Sequence, residues 1–379
     1  MKKLAMMTSL ALAATVVLSS AALADDTFKI GSIGPVTGPA AAYGSCVMNS
    51  AQIAVDEVNE AGGINGFQVE FSPQDDEHDA EKSVNAYNKL KDWGMQMLLG
   101  TVTSAPCIAV EAEAAADNMF LITPSGTAVD CITGGDNAFR ICFSDPAQGA
   151  ASAQFIGSHA LATKVAVLYD SSDPYSSGIY ATFHVQAEEQ DFEIVAEAAF
   201  TADSKTDFSA QLQSFKDAGA ELVFLPFYYN EISIVLTQAQ SMDYAPLWFG
   251  VDGMDGLLTV EGFDTSLAEG CMLLTPFSAD AEDELTQNFV TKYREQYGDT
   301  PNQFGADAYD GVYILKTALE AANVTADMSY SDICDALKTA MTEISYTGVT
   351  GAMTWTADGE PTKEPKAVVI QNGAYVPMD

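Results

Sequence analysis

Short apolar segments alternate with amphipathic segments along almost the whole of this 379-residue chain. The apolar segments are continuous instead of alternating, which is typical of parallel strands that helices cover on both faces. The sequence therefore predicts an α/β fold of repeated strand–helix units, long enough for two domains. The predicted strands are Phe28–Ile33, Phe67–Phe71, Met95–Leu99, Met119–Ile122, Val165–Tyr169, Ile194–Phe200, Leu222–Leu225 and Leu247–Phe249, and the predicted helical segments include Ala80–Trp93, Tyr175–Gln190 and Phe208–Ala218.

The first 24 residues have the pattern of a secretory signal peptide, with cleavage predicted after Ala24. Lys2 and Lys3 precede an apolar run, and Ala22, Leu23 and Ala24 form the small-residue cleavage site. No later segment reaches the roughly 18 apolar residues that a membrane helix needs. We therefore expect a periplasmic protein with no stable membrane insertion, and we exclude this leader from the fold.

Acidic residues far outnumber basic ones, and the formal net charge is −37. Such a charge repels nucleic acid and anionic membranes, so no nucleic-acid partner is expected. The charge serves solubility outside the cell; the alternative is charge-steered docking to a partner. Arg140 and Arg294 are the only arginines in the sequence, whereas a phosphate or a second carboxylate is generally bound by a guanidinium group. The composition thus favours a ligand with one negative group, and Arg140, inside a strand-like run, is expected to be structural.

Six cysteines in an exported chain indicate possible disulfides, although six cysteines allow 15 pairings. Cys131 and Cys142 are close enough in sequence to close a short loop. Cys46 and Cys107 each follow a candidate ligand turn by a few residues, which makes them possible neighbours, and Cys271 and Cys334 remain as the third pair. The chain has no CxxC motif and no Cys/His cluster, so we predict neither a metal site nor a cofactor.

The segment Ile30–Gly44 is a short strand that runs into a Gly/Pro-rich turn and then directly into a helix. Small side chains in such a turn leave backbone amides free to face a ligand at the helix N-terminus. The spacing is neither GxGxxG nor GxxxxGK[ST], so the turn does not have a dinucleotide or P-loop pattern. We therefore expect it to contribute to a site for a small polar ligand.

The residues just after each predicted strand differ between the two halves of the chain. In open α/β sheets, ligands bind beyond the carboxyl ends of the strands. Ser104 and Thr127 follow consecutive strands in the first half, where hydroxyls at helix N-termini suit a ligand carboxylate. Asp252 follows a strand in the second half and suits a ligand ammonium. The alternatives are that both hydroxyls are ordinary helix caps and that Asp252 merely forms a turn.

No arrangement in the sequence predicts catalysis. His78, His159 and His184 are scattered, and neither GxSxG nor HExxH occurs. The acidic run from Asp75 to Asp79 has enough carboxylates to attract a cation, but we expect a solvated loop. We therefore predict a binding protein and not an enzyme.

A series of motifs in order along the chain resembles one known family. These motifs are IGPVTGPAAAYG, AVDEVNEAGGINGFQVEF, LLGTVTS, ITPSGT, FRICFSDPAQG, KVAVLYD, TDFSAQLQSFKDAGAELVF and YTGVTGAMTW. Together they resemble the leucine/isoleucine/valine-binding family, the periplasmic substrate-binding proteins of branched-chain amino acid ABC transporters. The resemblance implies a type I periplasmic-binding (Venus-flytrap) fold of two Rossmann-like lobes with three crossovers. It places lobe 1 at 25–145 and 277–354 and lobe 2 at 146–276 and 355–379.

The resemblance also implies roles for individual residues. Ser104 and Thr127 match the hydroxyls that bind the ligand carboxylate, and Asp252 matches the acid that binds the ammonium. That acid is often Glu in the family, so Asp252 is one methylene shorter, and Asp255 is a rival acid. The remaining matches are the backbone near Val102 and Ser125 in the carboxylate cradle, the pocket aromatics Tyr43, Tyr175 and Tyr228, and Phe304 toward the ligand side chain.

These matches imply a function in amino-acid uptake. The expected ligand is an L-amino acid with a branched-chain or other uncharged side chain, bound in the cleft between the lobes of a monomer and delivered to an ABC permease. The alternative is a sensory protein that presents an amino acid or a small carboxylate to a receptor. An exported hydrolase is a third class, but it requires a nucleophile–histidine pair that the sequence lacks.

Overall fold

The computed structural model describes residues 26–378 and confirms the predicted α/β fold. The first sheet has the order β2-β1-β3-β4-β5, and all its neighbouring strands are parallel. Every residue of the interior strands β3 and β4 is buried, because helices cover both faces. The strands are β1 (Thr27–Gly34), β2 (Gln68–Asp75), β3 (Met97–Leu99), β4 (Phe120–Thr123) and β5 (Ala138–Arg140).

A second, larger sheet follows in the chain. Its strands are β6 (Lys164–Asp170), β7 (Glu193–Phe200), β8 (Leu222–Leu225), β9 (Leu247–Gly250) and β10 (Met272–Thr275), and, after a separate ribbon of β11 (Tyr346–Gly348) and β12 (Gly351–Met353), β13 (Lys366–Gln371) and β14 (Ala374–Pro377). The order in this sheet is β14-β13-β10-β9-β8-β6-β7. Strands β6–β10 pair in parallel, whereas β13 and β14 are antiparallel additions at one edge.

Helices follow most of the strands. The long helices are α1 (Ala41–Glu60), α2 (Ala80–Trp93), α3 (Ser104–Asp117), α4 (Asp145–Ser158), α5 (Pro174–Ala187), α6 (Ser209–Ala218), α7 (Tyr229–Ser241), α8 (Glu284–Tyr297), α9 (Gln303–Ala321) and α10 (Tyr330–Met341). Short 3-10 turns are Val129–Cys131, Ala202–Ser204, Asp252–Met254, Leu257–Thr259 and Thr265–Ala268. No helix among residues 26–378 combines the length and apolarity needed to cross a membrane.

The chain passes between the two sheets three times within the described range. It leaves the first sheet after β5, and α4 then packs on α5 beside the second sheet. It returns after β10, since α8 and α9 pack on α1 and α10 packs on β3 and β4. It finally leaves β12 for β13 in the second sheet. We call the unit around the first sheet lobe 1 and that around the second sheet lobe 2; the lobe boundaries given above stay predictions.

The predicted pairing of the six cysteines is wrong, because Cys46 and Cys107 are not neighbours in the structure. All six cysteines are buried, and the structure has no bond between any two of them. Cys107 lies beside Cys131 and not beside Cys46, because β3 and β4 are neighbours and bring the segments after them together. Cys46 instead contacts Ser50 and the Asn302 amide. The predicted signal peptide lies outside the described residues.

Candidate functional site

A small cavity lies between the two lobes. It collects side chains from α1, from the segments after β3 and β4, from the N-termini of α5 and α9, and from the segments after β8 and β9. Eight of the nine predicted ligand-binding residues line this interlobe cavity. The lining residues are Tyr43, Val102, Thr103, Ser104, Ser125, Tyr175, Tyr228, Asp252, Gly253 and Phe304.

The lobe 1 wall of the cavity carries hydroxyl groups at the start of a helix. Ser104 is the first residue of α3, and its Oγ accepts a hydrogen bond from the Ala128 amide at 3.2 Å. The hydroxyl proton of Ser104 is therefore free to be donated into the cavity, beside the positive end of the helix dipole. Ser125 donates its hydroxyl to the Val102 carbonyl at 2.7 Å, so it fixes the loop shape and has no proton left for a ligand.

Thr127 is the predicted site residue that does not line the cavity. Its side chain is fully buried, and its hydroxyl has no hydrogen-bond partner among the described residues. Its carbonyl accepts the Asp145 amide at 2.9 Å and a contact from the Arg140 guanidinium. The same guanidinium donates to the carbonyls of Gly126 and Ala128, at 3.2 and 3.1 Å. Arg140 thus holds the loop that carries Ser125 and does not face the cavity.

The lobe 2 wall carries a buried carboxylate. Asp252 is 3% exposed, and its Oδ1 accepts the Tyr175 hydroxyl at 2.5 Å. The backbone amide of Asp252 donates to Gln148 Oε1 at 3.1 Å, which fixes the start of the 3-10 turn. Burial raises the pKa of Asp252 to about 7, and the Tyr175 and Gln148 hydrogen bonds oppose that rise. A nearby cation would lower this pKa and stabilise the charged form.

Asp255, the rival acid, lies elsewhere. Its Oδ2 accepts the backbone amide of Gln303 at 3.1 Å, and its side chain borders a larger open groove beside the cavity. Asp255 borders this groove and not the small cavity, whereas Asp252 and Ser104 both line the small cavity. Of the two acids, Asp252 has the position to receive a ligand cation.

Aromatic rings enclose the rest of the cavity. The Tyr175 and Tyr228 rings are stacked, with centroids 4.8 Å apart, and Phe304 packs edge-on to Tyr43 at 4.5 Å. The Tyr43 hydroxyl donates to the Gly253 carbonyl at 2.5 Å and so joins α1 of lobe 1 to lobe 2. The faces of these rings offer apolar surface, which suits an uncharged side chain.

One residue next to the cavity was missed by the sequence reasoning. His78 is largely buried, its Nδ1 lies 2.8 Å from the Thr103 hydroxyl, and its ring packs edge-on to Tyr228 at 5.3 Å. Burial and the Lys205 charge lower the pKa of His78 to about 4, whereas Asp79 and Asp170 oppose that shift. The sequence contained one indication of this role, because His78 follows the carboxyl end of the predicted second strand.

The prediction of a solvated acidic run was wrong for Asp76 as well as His78. The Asp76 side chain is fully buried, and it accepts the His78 amide at 2.9 Å and the Ser83 hydroxyl at 3.1 Å. The Asp75 carboxylate binds the amides of the Gly/Pro-rich turn at Val36 and Thr37. These amides are therefore satisfied within lobe 1 and do not face the cavity, contrary to the expectation for that turn.

The remaining histidines lie far from this chemistry in both sequence and contacts. His184 Nδ1 pairs with Glu197 at 2.8 Å on the surface, and His159 stacks on Phe155 at 3.9 Å. Among residues 26–378, no group of three or more His, Cys, Asp or Glu side chains is arranged to hold a metal ion.

Comparison with known proteins gives consistent matches along the chain. A sequence profile of the family described as "Periplasmic binding protein" matches residues 27–374. The chain is 30% identical over 329 residues to the Leu/Ile/Val-binding protein homolog 3 of Brucella melitensis, covering 86% of each chain. It is 29% identical over 305 residues to the leucine-, isoleucine-, valine-, threonine- and alanine-binding protein of Pseudomonas aeruginosa, covering 80% of this chain and 81% of that protein.

A solved structure resembles the whole molecule. The branched-chain amino acid transporter substrate-binding protein LivJ from Streptococcus pneumoniae, in complex with isoleucine, superimposes with a TM-score of 0.83. It is 30% identical, and the match covers 92% of this chain and 97% of that structure. The predicted two-lobed type I architecture is confirmed by this likeness.

Proposed function

This chain belongs to the leucine/isoleucine/valine-binding family of periplasmic binding proteins, and we propose that it captures an L-amino acid in the interlobe cavity. The side chain of that amino acid is uncharged, and most simply it is branched and aliphatic. The leader directs export to the periplasm and is removed in the mature protein. The loaded monomer delivers the ligand to the permease of an ABC transporter.

The observation that carries the proposal is that Ser104 of lobe 1 and Asp252 of lobe 2 line the same small cavity. An α-amino acid has a carboxylate and an ammonium group close together. Ser104 donates to the carboxylate from the α3 N-terminus, while Asp252 accepts from the ammonium. Tyr228 and Phe304 then contact the side chain of the amino acid. Asp252 is the one charged residue among those that line the cavity, so no second charge faces that side chain.

Binding proceeds by closure of the lobes around the ligand. The carboxylate first meets the lobe 1 wall, and closure brings Asp252 and Tyr175 onto the ammonium end. The Tyr43–Gly253 hydrogen bond completes the closed form. Hydrogen bonds to charged groups contribute about 1.5–3 kcal/mol each. A few of them, less the free energy of ordering and desolvation, give micromolar affinity, or about −8 kcal/mol.

The test compares leucine with its deaminated analogue 4-methylpentanoate. We expect Asp252→Asn to weaken leucine binding by on the order of 100-fold and to leave the analogue within a few-fold, because only leucine has an ammonium group. Titration calorimetry of ligand-stripped protein measures both affinities.

Asp255→Asn is the matched control, since it makes the same change three residues away and outside the cavity. It should leave the ratio of the two affinities unchanged. Equal losses for leucine and its analogue in Asp252→Asn would remove Asp252 from its proposed role.

A further inference from the structure

Two of the six cysteines lie together directly behind the lobe 1 wall. Cys107 is in the first turn of α3, after Ser104, and Cys131 ends the 3-10 turn that follows the loop carrying Ser125. The Cys107 thiol donates to the Cys131 carbonyl at 3.9 Å, and the Cys131 thiol donates to the Ser104 carbonyl at 3.7 Å. Both side chains are fully buried.

The sulfur atoms of Cys107 and Cys131 both lie close to the backbone of Gly126. A Cβ atom placed on Gly126 would lie 2.9 Å from Cys107 Sγ and 3.1 Å from Cys131 Sγ. Both sulfur atoms therefore pack over the same bare backbone position. The absence of a side chain at Gly126 lets the thiols approach each other from two different segments.

The two thiols also differ in acidity. The Cys131 thiol lowers the pKa of Cys107, and the Thr101 and Thr123 groups add to this effect against burial. Burial raises the pKa of Cys131, and the Cys107 sulfur raises it further. Cys107 is also close to the positive end of the α3 dipole, a position that favours a thiolate.

We propose that Cys107 and Cys131 form a disulfide in the mature protein, one that ties α3 to the 3-10 turn Val129–Cys131. The proposal rests on the proposed function in one respect, which is export to an oxidising compartment. The bond would link the helix that presents Ser104 to the loop that presents Ser125. It would hold the two parts of the carboxylate-binding wall in register.

The oxidant is a disulfide, carried either by a periplasmic protein or by a small molecule such as oxidised glutathione. The Cys107 thiolate of the folding chain attacks that disulfide and releases one thiol. The Cys131 thiolate then attacks the Cys107 sulfur of the mixed disulfide and releases the second thiol. The pair loses two electrons and two protons, and the oxidant's disulfide is reduced to two thiols. Because both sulfurs are buried in the fold, this exchange belongs to folding and not to the folded protein.

The other cysteines give the comparison needed for a test. Cys271 is buried, and its thiol donates to the Leu267 carbonyl at 3.9 Å. Burial raises its pKa to about 12. Cys271→Ala therefore removes a buried thiol of similar size without touching the proposed bond.

The first experiment labels the thiols of the full chain exported with its own leader. The protein is denatured in the presence of iodoacetamide, which alkylates the free thiols. Disulfides are then reduced, and the thiols that they release are labelled with N-ethylmaleimide before peptide mass spectrometry. We expect the maleimide on Cys107 and Cys131 and iodoacetamide on the other four cysteines. Iodoacetamide on all six cysteines, or maleimide on a different pair, would overturn the proposal.

The second experiment measures thermal unfolding with and without dithiothreitol in the wild type, Cys271→Ala and Cys107→Ala/Cys131→Ala. We expect the reductant to lower Tm by about 5 °C in the first two proteins and to leave the double variant unchanged. An equal response in all three contradicts the disulfide. If the double variant does not fold, the labelling of the wild type decides.

Leucine calorimetry on the reduced wild type separates this proposal from the proposed function. Absence of the disulfide with leucine binding intact overturns only the disulfide. A disulfide in a protein that binds no amino acid leaves the bond standing and overturns the proposed function.

Discussion

His78 lies at a meeting point of the two lobes. Its imidazole contacts Thr103 on the lobe 1 side and the Tyr228 ring on the lobe 2 side. The charged groups near it are Asp79, on its own segment, and Asp170 and Lys205 from lobe 2. Because burial and Lys205 lower its pKa to about 4, the folded protein holds this ring neutral at any pH above that value.

We predict that His78 makes the folded state sensitive to acid. The unfolded chain binds a proton at His78 near pH 6.5, whereas the folded chain does so only near pH 4. As the pH falls from about 6.5 to 4, the unfolded state gains protons that the folded state does not, so the free energy of unfolding decreases. The loss due to His78 is on the order of 3 kcal/mol at the acid end.

The measurement is the pH profile of thermal unfolding for the wild type and His78→Gln. Glutamine can still hydrogen-bond Thr103, so the variant should lose less stability than the wild type between pH 6.5 and 4. Asp76, whose pKa burial raises to about 6, contributes to both profiles and cancels in the difference. Parallel profiles would show that His78 does not titrate differently in the folded state.

At this scale, sequence reasoning found the residues whose position follows from strand ends. Ser104 and Asp252 each come after a buried parallel strand, and the sheet brings such positions to one edge. The burial of His78 was not predictable in the same way, because it depends on the Tyr228 ring from the other lobe. Thr127 also follows a strand, but the Arg140 guanidinium hydrogen-bonds to its carbonyl, and Thr127 does not line the cavity. That contact could not be predicted, because the sequence does not show which side chains meet in the fold.

Among the elements, α1 packs unusually close to the chain that precedes it. A Cβ atom on Gly44 would lie 2.0 Å from the Pro35 carbonyl oxygen. The glycine predicted to expose backbone to a ligand therefore allows the helix to lie against the end of β1. This close approach also positions Tyr43, the next residue back, at the cavity.

We predict that Gly44→Ala destabilises the fold by at least about 1–3 kcal/mol and weakens ligand binding, because the helix must move away from rigid backbone. Gly157→Ala in α4 is the matched control, since the added methyl meets mainly the flexible Gln190 side chain. It should cost less than Gly44→Ala, because alanine also favours the helix. Urea unfolding gives both stabilities, and similar losses in the two variants would contradict the role assigned to the Gly44 contact.

The strands and helices were predictable because their signals are local. Continuous apolar runs such as Leu222–Leu225 form strands in the structure as predicted. The fate of the turn amides was not local, because the acceptor is Asp75 at the end of a neighbouring strand. The cysteine pairing failed for the same reason: Cys107 and Cys131 meet only because β3 and β4 are adjacent.

Across the whole molecule, a few hydrogen bonds join the two lobes. The Tyr43 hydroxyl reaches the Gly253 carbonyl, and the Ala42 amide donates to the Tyr229 hydroxyl at 3.3 Å. The Gln303 amide donates to Asp255 at 3.1 Å. Both partners of each contact are protein groups, so the free energy of closure depends on these interlobe contacts as well as on the ligand.

Tyr43→Phe tests how much the interlobe contacts contribute to closure, since it deletes one interlobe hydrogen bond and keeps the aromatic ring against Phe304. A hydrogen bond of this kind contributes about 0.5–1.5 kcal/mol, so leucine affinity should fall by roughly 2- to 10-fold. The ligand-free variant should also populate the open form more, which raises its radius of gyration in small-angle X-ray scattering. Saturating leucine should restore the compact value, because the ligand still favours the closed form.

Tyr87→Phe makes the same atomic change at a bond inside lobe 1, where the hydroxyl donates to Asp117 at 3.0 Å. It should lower thermal stability without changing either leucine affinity or the ligand-free radius of gyration. If Tyr43→Phe binds leucine like the wild type, or if Tyr87→Phe loses as much affinity, the Tyr43–Gly253 bond does not control closure. An effect of Tyr43→Phe alone would mean that protein contacts and the ligand both contribute to the free energy of lobe closure. The share that the protein contacts contribute then limits how tightly the protein holds an amino acid that it must later release.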